Sequence, residues 1–229
     1  MVQIEGRRSP VHVAQYRGVL SFPKYVLAAH LAEGKRALVV TPSGVEGVEK
    51  IVKAGATEVL VVGATHQFPD SVQARADGVP NLPLHDGTVD LVVLGTRALE
   101  GSEETLQALL LDLRRVLAPE GRVIAAVQMP GARVFEFELP DVMGPDFWTL
   151  ESLLNDTFGS SQLFAQMSWQ GVALSPVVGD DSSPQTEPEI ILDESALQAD
   201  TEVSHYLMVA GGEKIASVDD APCLLVAFP

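Results

Sequence analysis

The chain has 229 residues, 15 Lys and Arg against 31 Asp and Glu, and a formal net charge of -16. That length suits one large α/β domain or two small ones, and the acidity repels phosphate backbones and anionic lipid, so nucleic acid and membrane are excluded as expected partners. The opening MVQIEGRRSP has no apolar segment after its charges, no apolar run reaches the roughly 18–20 residues of a membrane-spanning helix, and the single cysteine, Cys223, makes neither an intrachain disulfide nor a Cys-based zinc site. Together these features read as a cytoplasmic protein.

Apolar runs alternate with helix-like segments, the pattern of a parallel sheet covered by helices. SFPKYVLAAHLAEG reads as a first helix, with Pro23 in its first turn and Gly34 as its stop. RALVVT (36–41) has strand length. GVEGVEKIVKAG (44–55) places Val45, Val48, Ile51 and Val52 at helical spacing, and EVLVVG (58–63) is a second buried strand. SVQARAD (71–77) is a short strand candidate and TVDLVVLG (88–95) a clear one. SEETLQALLLDLRRVL (102–117) opens with a capping pattern at Ser102 and runs as a helix, after which APEG turns the chain into the strand RVIAAVQM (122–129). FWTLESLLNDTFG (147–159) is a helix, and SQLFAQMSWQGVALSPV (161–177), SHYLMVAGG (204–212) and PCLLVAF (222–228) are strand-like. Between Val178 and Val203 lie Asp180, Asp181, Glu187, Glu189, Asp193, Glu194, Asp200 and Glu202, with no Lys or Arg. This stretch reads as a solvated insertion; the alternative is an acidic docking segment for a basic partner.

The order of these elements resembles the class I S-adenosylmethionine-dependent methyltransferases. KYVLAAHLAEGKRALVV is similar to that family's lead-in helix and first strand, AGATEVLVVG to its turn into the second strand, LPLHDGTVDLVVLG to its approach to the fourth strand, and LLLDLRRVLAPEGRVIAAV to its fourth helix, turn and fifth strand. The resemblance implies a Rossmann-like, doubly wound α/β fold with a mostly parallel seven-stranded sheet and an antiparallel last strand. It covers residues 1–229 as a single methyltransferase-like domain with the acidic insertion at 178–203, or as the N-terminal domain of a longer protein.

The family's cofactor residues are replaced. Its first strand ends in an acid followed by alternating glycines, which let the backbone approach the cofactor. Here the acid's place is held by Val39 and the glycine places by Thr41, Ser43 and Val45. A one-residue slip puts Gly44 on the middle glycine but Pro42 and Glu46 on the others. The acid that receives the ribose hydroxyls at the end of the second strand is replaced by Gly63, followed by Ala64, Thr65 and His66. Asp77 stands near the adenine-side position, and the span from Gly63 to Leu82 is short for a helix plus a strand. TPSGVEG is therefore expected to fill its own cleft, with Val39 and Val45 turned toward the cofactor's place.

No other chemistry stands out. His12, His30, His66, His85 and His205 show no metal-ligand spacing, and neither GxSxG nor GxxxxGK[ST] occurs. Cys223 reads as a small core residue, and Phe147, Trp148 and Trp169 as core packing, with a substrate-pocket lining as the alternative. The connection GARVFEFELPDVMGPDFW (131–148) lies at the carboxyl edge of the expected sheet, where α/β folds place ligands. The resemblance, with its site degraded, implies a methyltransferase-like pseudoenzyme used as a protein-interaction or regulatory module. It implies no catalytic residue, no metal and no cofactor, and a protein partner or homo-oligomer. The alternatives are a divergent S-adenosylmethionine-dependent methyltransferase acting on a small molecule or protein, and a small-ligand sensor using the old cleft.

Overall fold

A computed structural model describes residues 21–75, 81–134, 137–139, 143–167 and 203–211. The expected termini of the chain, Asp77, Trp169, the acidic stretch before Val203 and the PCLLVAF strand lie outside these residues. The described elements are α1 (Pro23–His30), β1 (Arg36–Val40), α2 (Glu46–Lys53), β2 (Glu58–Val62), β3 (Val72–Ala74), β4 (Val89–Leu94), a 3₁₀ turn (Thr96–Leu99), α3 (Glu103–Val116), β5 (Leu117–Gln128), β6 (Arg133–Val134), β7 (Phe137–Glu138), α4 (Phe147–Phe158), β8 (Ser161–Met167) and β9 (Val203–Ala210).

Seven strands form one sheet in the order β3-β2-β1-β4-β5-β9-β8, and β6 and β7 form a separate hairpin. The pairs from β3 to β5 are parallel, while β9 runs antiparallel to both β5 and β8. This is the doubly wound sheet with an antiparallel final strand that the sequence leads one to expect. Side chains alternate across each strand. Leu38, Val40, Val92 and Leu94 therefore face α3 and α4 on one side, while Ala37, Val39, Leu91 and Val93 face α1 and α2 on the other. In α3, Leu106, Leu109, Leu110, Leu113 and Val116 recur at helical spacing and are all buried. The Ser102 hydroxyl accepts from the Thr105 amide at the start of α3, and the Asp146 carboxylate accepts from the Thr149 amide at 2.7 Å at the start of α4.

Two local features depart from an idealised crossover fold. β2 reaches β3 through residues 63–71 with no helix between them. β5 begins at Leu117, so the APEG turn sits within its span; it is absorbed by a register shift, Val89 pairing with Leu117 but Leu91 with Arg122.

Candidate functional site

The carboxyl ends of β1, β2 and β4 meet at Thr41. Its amide donates to the Val62 carbonyl at 2.8 Å, and the Gly95 amide donates to the Val40 carbonyl at 2.8 Å. Thr41 has φ +46°, the left-handed region that β-branched residues rarely enter. It is wedged between two glycines. A Cβ on Gly63 would fall 2.4 Å from Thr41 Cγ2, and a Cβ on Gly95 would fall 1.9 Å from the Thr41 carbonyl oxygen. The turn after β1 thus opens with a threonine, and the glycines on the two neighbouring strand ends make room for it. The Thr41 hydroxyl oxygen is buried and has no hydrogen-bond partner.

The rest of the turn is braced from α1. The Tyr25 ring lies flush on Gly47, where a Cβ would come within 2.5 Å of it. The Tyr25 hydroxyl sits by the Ser43 backbone without a hydrogen bond of ordinary geometry, and burial raises its ionisation well above the usual tyrosine range. Lys24, one residue earlier, is 1% exposed. Its ammonium lies 5.6 Å from the Tyr25 ring centroid, and burial lowers its pKa to about 8. His205 on β9 is lowered to about 4, by burial first and then by the charge of Lys24. Its Nδ1 is 3.2 Å from the Ser204 hydroxyl.

The expected site residues are distributed as follows. Val39 lies inside the core layer with α1 and α2 rather than at the mouth of the cleft, because strand alternation puts it on the face of Ala37. Ser43 is exposed, and Val45 is half-buried immediately before the first turn of α2. Thr41 and Gly63 are in direct contact. His66 is exposed, and no carboxylate stands between the end of β2 and Asp70. Phe147 packs in the core against Tyr206 at 4.8 Å, as expected, but Trp148 is 74% exposed and does not join it. Sequence reasoning missed Lys24, which looks like an ordinary first-turn lysine. It also missed the pairing of Gly63 and Gly95 around Thr41, whose only trace is a glycine closing each of the second and fourth strands. Among the described residues no group of three His, Cys, Asp or Glu is arranged to hold a metal, and no helix is long and apolar enough to cross a membrane.

No family model matches the sequence, and neither does any curated protein. Solved structures match its fold. An S-adenosylmethionine-dependent methyltransferase from Archaeoglobus fulgidus aligns over 86% of this chain and 93% of its own, at 13% identity and a TM-score of 0.54. The Burkholderia thailandensis 1,6-didemethyltoxoflavin-N1-methyltransferase, with 1,6-didemethyltoxoflavin and S-adenosylhomocysteine bound, aligns over 92% of both chains at 12% identity and a TM-score of 0.52. A chain from the complex between the Haloferax volcanii Trm112 methyltransferase activator and a methyltransferase aligns over 88% of this chain and 94% of its own, at 14% identity and a TM-score of 0.50. With the observed strand order, they define the fold as that of the class I S-adenosylmethionine-dependent methyltransferases.

The expectation of no cofactor is corrected by these neighbours. They are S-adenosylmethionine-dependent enzymes, one with S-adenosylhomocysteine bound, and they point to S-adenosylmethionine rather than to an absent cofactor. The described strand ends, however, do not fit that cofactor held by the family's glycines and acids. Thr41 fills the first glycine place, and neither Val39 nor Gly63 supplies a carboxylate.

Proposed function

We propose that this chain is a methyltransferase-fold module for protein interaction and regulation, with S-adenosylmethionine as a weakly held effector rather than a turned-over cosubstrate. The observation that supports this most is the Thr41 turn, a left-handed threonine locked between Gly63 and Gly95 where the fold's glycines would receive the cofactor. A hydrogen bond to a charged group contributes about 1.5–3 kcal/mol. Losing two such carboxylates lowers affinity by roughly two to four powers of ten. A ligand held that loosely exchanges quickly, which suits a signal better than a reaction. A protein partner is supported by the Haloferax methyltransferase, a chain of the same fold found in complex with the Trm112 activator.

Thermal melting with S-adenosylmethionine, paired with an assay for S-adenosylhomocysteine release, tests the reading. A ligand at ten times its dissociation constant stabilises a fold by about 1.4 kcal/mol, so a site of roughly millimolar affinity is measurable at about 10 mM ligand. The expected result is a Tm that rises with the logarithm of ligand concentration in the millimolar range, with no product above a protein-free control. Steady formation of S-adenosylhomocysteine would overturn the regulatory reading in favour of a divergent methyltransferase.

A further inference from the structure

Outside the strand-end turn, one surface combines features that an isolated globule does not need. Trp148 is 74% exposed, Leu111 59% and Met143 82%. Large apolar side chains left in water on one region of a surface mark contact sites. Of the three, Trp148 lines a groove of about 440 Å³ between α3 and α4. On α3 its wall is Glu103 and Gln107, and Leu111 continues the same stripe one turn on. On α4 the wall is Trp148, Ser152 and Asp156. Each stripe advances by four residues, so each is one continuous face of its helix. Phe147 is buried and meets the Trp148 indole edge-on at 4.8 Å, so the exposed ring is held in place by the core beneath it. A second hollow of about 230 Å³ continues past Gly144 and Pro145, next to Met143 in the chain.

The charge of the groove selects its occupant. Glu103 and Asp156 line it, no Lys or Arg among the described residues does, and the whole chain carries -16. A second copy of this chain would bring acid against acid, and a nucleic acid or an anionic membrane is repelled for the same reason. What complements an indole flanked by carboxylates is an apolar side chain flanked by cations. We infer that the α3–α4 groove docks a cationic amphipathic segment of a partner protein, with its apolar anchor against Trp148 and its Lys or Arg side chains on Glu103 and Asp156. Helix-in-groove recognition uses this arrangement of anchors, and tryptophan is among the residues that dominate such interfaces. This inference rests on the interaction-module reading and gives that module a surface and a partner chemistry.

The test uses the full chain and a synthetic amphipathic peptide of Leu and Lys, roughly 18 residues long, with a Leu and Glu peptide of the same pattern as control. Calorimetry should show the Lys peptide binding at least about tenfold more tightly than the Glu peptide. Trp148→Ala, and separately Glu103→Lys with Asp156→Lys, should each weaken it by about tenfold or more at unchanged Tm. Glu46→Lys with Glu49→Lys, which makes the same charge change on α2 across the sheet, should leave binding within about twofold. Equal loss in this α2 pair, or no loss in the groove variants, would reduce the binding to bulk charge and overturn the inference. Self-association abolished by Trp148→Ala, with no peptide binding, would make the occupant a second copy and overturn it equally. Failure of the function reading shows elsewhere, as S-adenosylhomocysteine release, and would leave the peptide result standing.

Discussion

Thr41 carries two costs that its neighbours must offset. A non-glycine residue in the left-handed region costs about 1–3 kcal/mol, and its buried, unpaired hydroxyl adds about 1–3 kcal/mol. Thr41→Gly removes both, against a loss of methyl packing on Gly63 and a more flexible unfolded chain. The expected outcome is a gain of about 1 kcal/mol, read as a rise in Tm of roughly 2–4 °C, together with tighter S-adenosylmethionine binding as the glycine place reopens. The two flanking glycines separate cleanly in a double-mutant cycle. Gly63→Ala drives a methyl into the Thr41 side chain and puts alanine at φ +66°, so only the clash should vanish when Thr41 is also glycine, leaving about 1 kcal/mol of backbone strain. Gly95→Ala drives a methyl into the Thr41 carbonyl oxygen, which every residue at 41 retains. It should cost about 3 kcal/mol in either background, measured by urea unfolding.

At the scale of elements, the segment leading into β4 is held by one side chain. Arg115, in the last turn of α3, donates to the carboxylates of Asp112 and Asp86 and to the carbonyls of Leu82 and Leu84. The Asp112 carboxylate in turn accepts from the Leu82 amide, and the Arg115 carbonyl accepts from the Gly87 amide. Arg115→Ala should therefore speed hydrogen exchange at Leu82 and Leu84 by about tenfold or more while β1 and β4 stay protected. Arg115→Lys should not restore protection, because an ammonium cannot reproduce the planar fork. Most elements were legible in the sequence for a simple reason. Runs such as RALVV and VDLVVL are buried on both faces, and α3 repeats leucine at helical spacing, so local pattern and tertiary burial agree. The absence of a helix between β2 and β3 was legible from length alone. The site was less so. Thr41 is recognisable as a lost glycine, but its relation to Gly95 depends on two strands pairing across 54 residues of chain, and local pattern carries no such information. Trp148 was expected in the core because tryptophan usually buries there. Its neighbour Phe147 takes the inward position at the start of α4, and the helical turn of about 100° per residue leaves Trp148 facing out.

For the whole molecule, the buried Lys24 couples folding to pH. Its pKa falls from 10.5 to about 8 in the folded state, because burial disfavours the ammonium. Below pH 8 both folded and unfolded chains bind this proton, and the folded state bears the full cost of the buried charge. Between about pH 8 and 10.5 the unfolded chain still holds the proton while the folded one has released it, so stability rises with pH across that window. Tyr25 acts in the opposite sense. Its ionisation is raised by burial, so above about pH 10 the unfolded tyrosine loses its proton first and stability falls. His205, lowered from 6.5 to about 4, adds an acid limb: stability present above pH 6.5 is lost as pH falls through about 4. The wild-type chain should therefore gain about 2 kcal/mol between pH 7 and pH 10, at 1.36 kcal/mol per pKa unit less the tyrosine's share. Lys24→Met keeps the length and removes the charge. It should be more stable than wild type by about 2 kcal/mol at pH 7, flat from about pH 7 to 9 with a slight fall by pH 10 as Tyr25 ionises in the unfolded chain, and slightly more tolerant of acid, since His205 then loses a neighbouring cation. Urea unfolding of both proteins at pH 5, 7 and 10 measures all three. An alkaline rise that persists in Lys24→Met would place its source in another group.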